Sequence, residues 1–488
     1  MATKKQIQIR GLGIYGVIRQ AEVDDYLVPD GAVVEAINVQ FDRKGAVSLR
    51  QGITGLGATI ALGYPCWGLH NTQNGTMVAV FSQGGSSRIY AYGGAAWASN
   101  LTGGTANVKV RFFEFANKTV AVNWGNASNQ YSSMLFWSGS PNVATWLDSG
   151  NPINPQNLWS NGIYPQYAEV HKARVYVVGD PTYPDRLFYS EMVDSSGNIT
   201  WIPATSWVDI SPNDGEHISA LKRFSLELIV FKPNYIYRFR TTGVDPDPLI
   251  KIGTRSQESV VEGKQGLYFH HDTGFYCYNG SYPREISRPI SDIVNAIPFT
   301  SFANIVAWRD SDRIYWSVGN ITVNGEAWKN VVCRYTESSQ VWTIYALSYK
   351  VNFAKDYNSG STLTRLIACE DGTVYTFNSG TTDSGEPIKY RMVTKWYDFG
   401  DLLQRKTILR VIGVCEKAQE TILMYQTNDN DEWKTMGQIK KFLTDFDDLA
   451  ITCHRIRFKI TGMSKSEPFV FLGLIFPDLL PQGTTIEK

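Results

Sequence analysis

The feature that most constrains this chain is a strand-pair repeat. Between Tyr64 and Gly380 a short β-branched or aromatic run is followed seven times, usually after a polar turn, by a second run rich in Tyr and Phe. The pairs are 77–81 with 88–92, 119–122 with 134–137, 175–178 with 186–189, 228–231 with 235–239, 266–269 with 275–278, 313–316 with 331–335, and 366–369 with 373–377. Corresponding residues (Val78, Val120, Val175, Leu228, Leu267, Ile314, Leu366) lie 42, 55, 53, 39, 47 and 52 residues apart. A period near ~40–50 residues with about four strands per unit is the signature of a β-propeller blade. Runs such as Arg111–Phe115 and 305–308 supply further strands, and several units close on a turn and a tryptophan, at Trp97, Trp146, Trp201 and Trp342. The expected fold is all-β, a propeller of about seven blades. The competing reading of the same runs is an all-β protein without radial symmetry.

The flanks do not join the repeat. Residues 1–60 read as irregular strands and turns, 61–385 as the propeller, 386–480 as a β-sandwich-like region, and 481–488 as a loose tail. A closed ring brings its first and last blades together, so the two flanking segments are expected to form one platform domain beside the propeller. Within 386–480 the run 454–460 alternates polar and apolar residues, which marks a half-buried strand. Its alternation puts Arg455, Arg457 and Lys459 on one face and Ile456, Phe458 and Ile460 on the other. Helical turns are expected only at 290–297 and 442–449.

Composition acts by exclusion. Lys plus Arg (46) equals Asp plus Glu (46), and a net charge of zero excludes a protein that grips polyanions through a strongly basic surface. No apolar stretch follows Met1-Ala2-Thr3-Lys4-Lys5-Gln6, so no secretory signal is expected. No apolar run approaches ~18 residues, so no membrane insertion is expected either. Six scattered cysteines (Cys66, Cys277, Cys333, Cys369, Cys415, Cys453) lack the spacing of a disulfide framework or a zinc cluster and read as reduced, mostly buried thiols.

Several motifs invite chemistry and fail it. Gly11-Leu12-Gly13-Ile14-Tyr15-Gly16 matches a dinucleotide fingerprint, but no amphipathic helix or βαβ unit follows. Asp429-Asn430-Asp431-Glu432 lacks the helical frame and glutamate of a calcium loop and reads as a hairpin turn. Asp194 to Trp201 loosely resembles the Asp-box turn of sialidase propellers, itself a structural turn. His270 and His271 are strand neighbours pointing to opposite faces, so they cannot share a metal. No catalytic, cofactor-binding or metal-binding residue is expected.

The stretch 29–53, containing Asn38-Val39-Gln40-Phe41-Asp42-Arg43-Lys44-Gly45-Ala46-Val47-Ser48-Leu49-Arg50-Gln51-Gly52, resembles the opening of short-tailed bacteriophage tail proteins, Asn-v-x-f-Asp-x-x-Gly-x-l-x-x-Arg-x-Gly, which precedes a propeller. Trp396-Tyr397-Asp398-Phe399-Gly400, Gln404 to Ile408, Arg455 to Ile460 and Pro468-Phe469 resemble the same group's post-propeller domain. In order, these segments cover the whole chain. They imply the tail nozzle (tail hub) family, whose P22-type members are packaged-DNA stabilisation proteins. The resemblance implies a hexameric tube below the portal–adaptor complex, in a virion tail assembled in the bacterial cytoplasm. Its partners are further copies of itself, the portal–adaptor proteins, tail needle or fibre proteins, and double-stranded DNA passing without sequence-specific binding. Arg455, Arg457 and Lys459 are the expected subunit or adaptor contact. Two other classes stay open: a receptor- or glycan-binding propeller, and, less favoured, a glycosidase.

Overall fold

The computed structural model describes the chain except for residues 1–4, 21–22, 43–44, 61–62, 126–133, 138–145, 148–152, 241–246, 360–361, 418–419, 429, 441, 465–468 and 482–488. Seven four-stranded antiparallel blades follow one another at 66–105, 111–147, 167–209, 220–250, 261–285, 306–346 and 351–377. In every blade the expected pair supplies the two middle strands; Val78 faces Ala91 in the first blade and Val120 faces Phe136 in the second. The protein is a seven-bladed β-propeller.

The apolar runs are continuous because each blade is buried on both faces. Along Met77–Gln83, Val78 and Val80 pack against Ala121, Leu135 and Trp137 of blade 2, while Met77, Ala79 and Phe81 pack against Leu366 and Ala368 of blade 7. Similar apolar layers separate the other blades, and the last one joins blade 7 back to blade 1. Burial of that kind, at ~25 cal/mol per Å² of apolar surface, makes the ring cohere.

The seventh blade holds only three strands from its own stretch of chain. Its fourth is Ile53–Gly55, which pairs with Val374–Phe377. The propeller boundary expected at residue 60 is therefore corrected: the rim strand of the last blade lies inside the N-terminal segment, and its hydrogen bonds close the ring non-covalently. A three-residue strand carries too little pattern to be assigned before its partner is known.

The two flanks do form a single platform. Lys5–Arg10 and Val47–Leu49 both pair with Val470–Pro481, near the other end of the chain. Ala32–Ile37 touches the outer strand of blade 6 through Ile37 and Ile344 and pairs more fully with Glu386–Thr394. Thr382–Asp383 lies against both Glu386–Thr394 and Ile53–Gly55. One hydrogen-bonded surface thus runs from blade 6 through platform strands to blade 7. The cluster between blades 5 and 6 also continues into the platform, where Phe458, Phe471 and Phe476 are fully buried.

Three smaller expectations come out differently or fall elsewhere. The helical turn expected at 442–449 is instead the strand Leu443–Phe446, held by pairing with Val411–Lys417; the one at 290–297 forms, as Ser291–Asn295. Trp201 is buried but not in a strand, its Nε1 donating to the Ile153 carbonyl at 2.6 Å, and the outer strand of blade 3 carries Trp207. The loose tail expected at 481–488 lies outside the described residues beyond Pro481, as does Asp429 of the expected hairpin turn.

Candidate functional site

Three polar constellations stand out, and the first lies in the N-terminal segment 38–52. Arg50 is 2% exposed. Its guanidinium meets both Asp383 oxygens, at 2.8 and 2.6 Å, and donates through Nε to Asn38 Oδ1 at 2.8 Å. Asn38 passes the connection on, donating to the Lys389 carbonyl at 2.7 Å and accepting from the Ala346 amide at 2.8 Å. A Cβ at Gly52 would sit 1.9 Å from the Thr382 carbonyl oxygen, so only glycine lets the chain pass there. Asp42 accepts from the Ala46 amide at 2.8 Å, and Gly45, with φ of 80°, turns the hairpin between Val39–Phe41 and Val47–Leu49. Asn38 and Arg50 thus meet at the junction of blade 6, blade 7 and platform. A buried ion pair with its hydrogen bonds filled fixes geometry more than it adds stability.

The second is the stripe Arg455, Arg457 and Lys459. Ile456, Phe458 and Ile460 are buried, and the three cations occupy the opposite face, partly exposed. They do not stand free in solvent. Arg455 lies 4.9 Å from the Trp396 ring centre, Arg457 4.5 Å from Trp396 and 5.3 Å from Trp433, and Lys459 4.4 Å from Trp433. Cations and indoles interleave as a ladder. Arg457 also bonds Asp25 at 2.9 Å and Gln426 at 2.7 Å. Arg455 and Lys459 make no ion pair with a described residue. Burial lowers the Lys459 ammonium pKa, and Arg391 nearby adds to this. The ladder lines a notch of about 670 Å³ shared with Asp24, Glu35 and Glu326. The alternation was legible in the sequence; Trp396, Trp433 and Asp25 as partners were not, because they come from other segments.

The third, missed by sequence reading, is the propeller channel. The first strand of each of the seven blades lines a cavity of about 1040 Å³. It is barred at one end. Lys109 and Arg111, where the inner strand of blade 2 begins, reach Glu258, in the turn Gln257–Ser259 that leads into blade 5, at 3.0 and 2.6 Å. Arg111 also lies 4.2 Å over the Tyr167 ring of blade 3. Burial alone would raise the Glu258 pKa, but Arg111 and then Lys109 outweigh it and hold the carboxyl at about 2. Above this bar the funnel wall carries His70, Glu114, Glu169, Lys222 and Lys355. His70 faces Glu114 at 2.6 Å, yet burial pushes the imidazole down to about 4, so it is neutral at pH 7. The available signal was a charged residue in six of the seven inner strands, as in Arg111–Phe115 and Ala220–Phe224.

The remaining motifs are structural. Asp194 Oδ1 accepts from the Ser196 and Asn198 amides, both at 2.8 Å, as a turn does. His270 packs on Phe275 and Phe302, whereas His271 bonds Thr273. The six cysteines are buried thiols that form no disulfide. Among the described residues no helix is long and apolar enough to cross a membrane.

No protein-family profile matches the chain, and no curated protein does. Among solved structures it is similar to virginiamycin B lyase from Staphylococcus aureus, at 12% identity over 66% of this chain and 98% of that one, with a TM-score of 0.42. It is also similar to Saccharomyces cerevisiae Sqt1, at 9% identity over 67% and 99%, with a TM-score of 0.40. The extracellular domain of BT4673 from B. thetaiotaomicron matches at 10% identity with a TM-score of 0.40; the chain covers 40% of that longer protein. These likenesses carry no argument about function.

Proposed function

We propose that this chain is a structural, non-enzymatic virion protein: the tail nozzle, or tail hub, of a short-tailed bacteriophage. Copies of it, six by the resemblance, form a ring below the portal–adaptor complex that retains packaged DNA and serves as its ejection conduit. The observation carrying this reading is the convergence of Asn38, Arg50 and Gly52, drawn from the phage-like motif, on one buried joint between propeller and platform. Residues spent in this way keep two bodies in fixed orientation, which is what a ring subunit requires. The barred channel also supports it, since a duplex has no route through a single propeller and any conduit must lie between copies. Zero net charge suits a lumen through which DNA slides, because each phosphate contact strengthens binding by releasing counterions.

In this reading Arg455 and Lys459 offer cations to acidic groups of a neighbouring subunit or the adaptor. Such rim charges act mainly on association rate and salt dependence. The test is negative-stain microscopy of the purified protein with and without its portal–adaptor complex. Ring particles that dock on the complex are expected; a monomer that ignores it overturns the reading. A receptor-binding propeller is the second reading, favoured by the open polar funnel, and glycan-array binding by the isolated protein would support it.

A further inference from the structure

Among the described residues Lys232 is the most buried lysine, with 0% of its side chain exposed. It follows the strand Glu227–Phe231 of blade 4, and its amine meets two carboxylates from outside that blade. Asp185, just before the blade 3 strand Arg186–Tyr189, accepts at 2.7 Å. Asp214, in the loop joining blades 3 and 4, accepts through both oxygens at 2.9 and 2.8 Å. The Ser211 and Glu216 carbonyls of the same loop lie 3.0 and 3.4 Å from the amine. Ser211, Asn213 and Gly215 hold φ of 47, 65 and 82°, and the Glu216 carboxylate accepts from the Asn234 amide at 3.1 Å, so the loop is fixed in its wrap around Nζ. One carboxylate is enough to neutralise the ammonium. The second is surplus to a structural ion pair, and it is what a proton-transfer step at the same nitrogen requires.

We propose that this is a self-modification site: Lys232 Nζ condenses with the Asp185 carboxyl to an isopeptide cross-link between blades 4 and 3, with Asp214 as proton relay. One proton passes from the ammonium to Asp185, leaving a neutral amine beside a carboxylic acid. The Nζ lone pair attacks Asp185 Cγ and the C–N bond forms. Asp214 takes one of the two remaining amine protons and delivers it to the departing hydroxyl; the C–O bond breaks and one water leaves. Ammonium plus carboxylate become amide plus water, with no oxidant or co-reactant. Holding the two groups in contact inside the fold supplies the proximity that such a slow condensation needs. The link adds a covalent tie to one apolar blade layer, and it is independent of ring assembly and of the nozzle reading.

Intact-mass spectrometry of the purified full chain tests it. The parent is expected to be lighter than its sequence mass by one water, and tandem spectra of a digest should show a branched peptide joining Lys232 to Asp185. Lys232→Arg and Asp185→Ala should each restore the full sequence mass. Asp214→Ala keeps both reacting groups and should lower the linked fraction at least tenfold; an unchanged fraction overturns the relay role. A parent with its full sequence mass overturns the proposal without any variant. A missing water that persists in Lys232→Arg overturns it equally, since a succinimide at Asp214-Gly215 then accounts for the loss. The parent's mass and its branched peptide decide the matter even where a variant does not fold.

Discussion

In the propeller Val78 pairs with Ala91 of the very next strand, whereas in the platform Ile9 pairs with Leu474 from the far end of the chain. The blades are built from local hairpins whose order in space is their order in sequence. The platform is built from segments that meet only once the ring has closed. Blade interfaces are apolar and repeat; the platform joint combines one apolar cluster, continuous with the layer between blades 5 and 6, with unlike polar contacts such as Arg50–Asp383, Arg19–Asp292 and Arg391–Glu326. Repetition spreads the stability of the ring over seven similar layers, while the platform is oriented by contacts that occur once. A hydrophobic layer tolerates exchange of similar side chains, but a buried ion pair does not tolerate loss of one partner.

Substitutions that strike one half sharpen this contrast. Arg50→Ala strands Asp383 as a buried, uncompensated charge and should cost ~3–5 kcal/mol. Hydrogen exchange should rise first at 32–55 and 382–394 while blades 2 to 4 keep their protection; uniform loss would show that joint and ring unfold as one. Trp316→Ala, of similar size at ~3–5 kcal/mol, acts on the ring. Trp316 is fully buried, 4.6 Å from Phe275 and 5.8 Å from Trp342 by ring centres. Because that cluster runs on into the platform, its urea midpoint shift should appear in probes of both halves.

Acid probes the trans-channel bar. The Glu258 carboxyl is depressed from 4.5 to about 2 in the fold, so its contribution is complete above the unfolded value and lost as pH falls through the folded one. A shift of that size corresponds to about 3 kcal/mol. The stability difference between parent and Glu258→Gln should hold steady above pH ~5 and shrink between pH ~4.5 and ~2; a difference independent of pH would mean that the bar bears no charge-dependent load.

The stripe gives the smallest effects. Arg457→Gln gives up the Asp25 pair and two indole contacts and should cost ~1–2 kcal/mol, read as a melting-temperature shift. Arg455→Gln and Lys459→Gln should each cost less than ~1 kcal/mol. Combining the three should leave a folded monomer and, in the proposed assembly, weaken ring formation or adaptor docking most at low salt. Assembly unchanged across salt concentrations would reduce the stripe to a ladder that packs its own tryptophans.

Much of the fold was readable because its determinants are local. Each blade pair declared itself through runs such as Val175–Val178 and Arg186–Tyr189, joined by a turn, and the alternation from Arg455 to Ile460 assigned faces without knowledge of any neighbour. Leu443–Phe446 was misread as a helical turn because its pairing partner, Val411–Lys417, lies in another segment. Ile53–Gly55 was placed outside the propeller for the same reason.

By itself the sequence determined the strand pairs, their number and the apolar layering, because hydrogen-bonded hairpins and period-two burial are set by neighbouring residues. Only the tertiary structure decided which strand closes the ring, that Arg50 would find Asp383, and that Glu258 would cross the channel to Arg111. Those contacts join residues far apart in the chain, and their geometry exists only after seven blades have turned through a full circle.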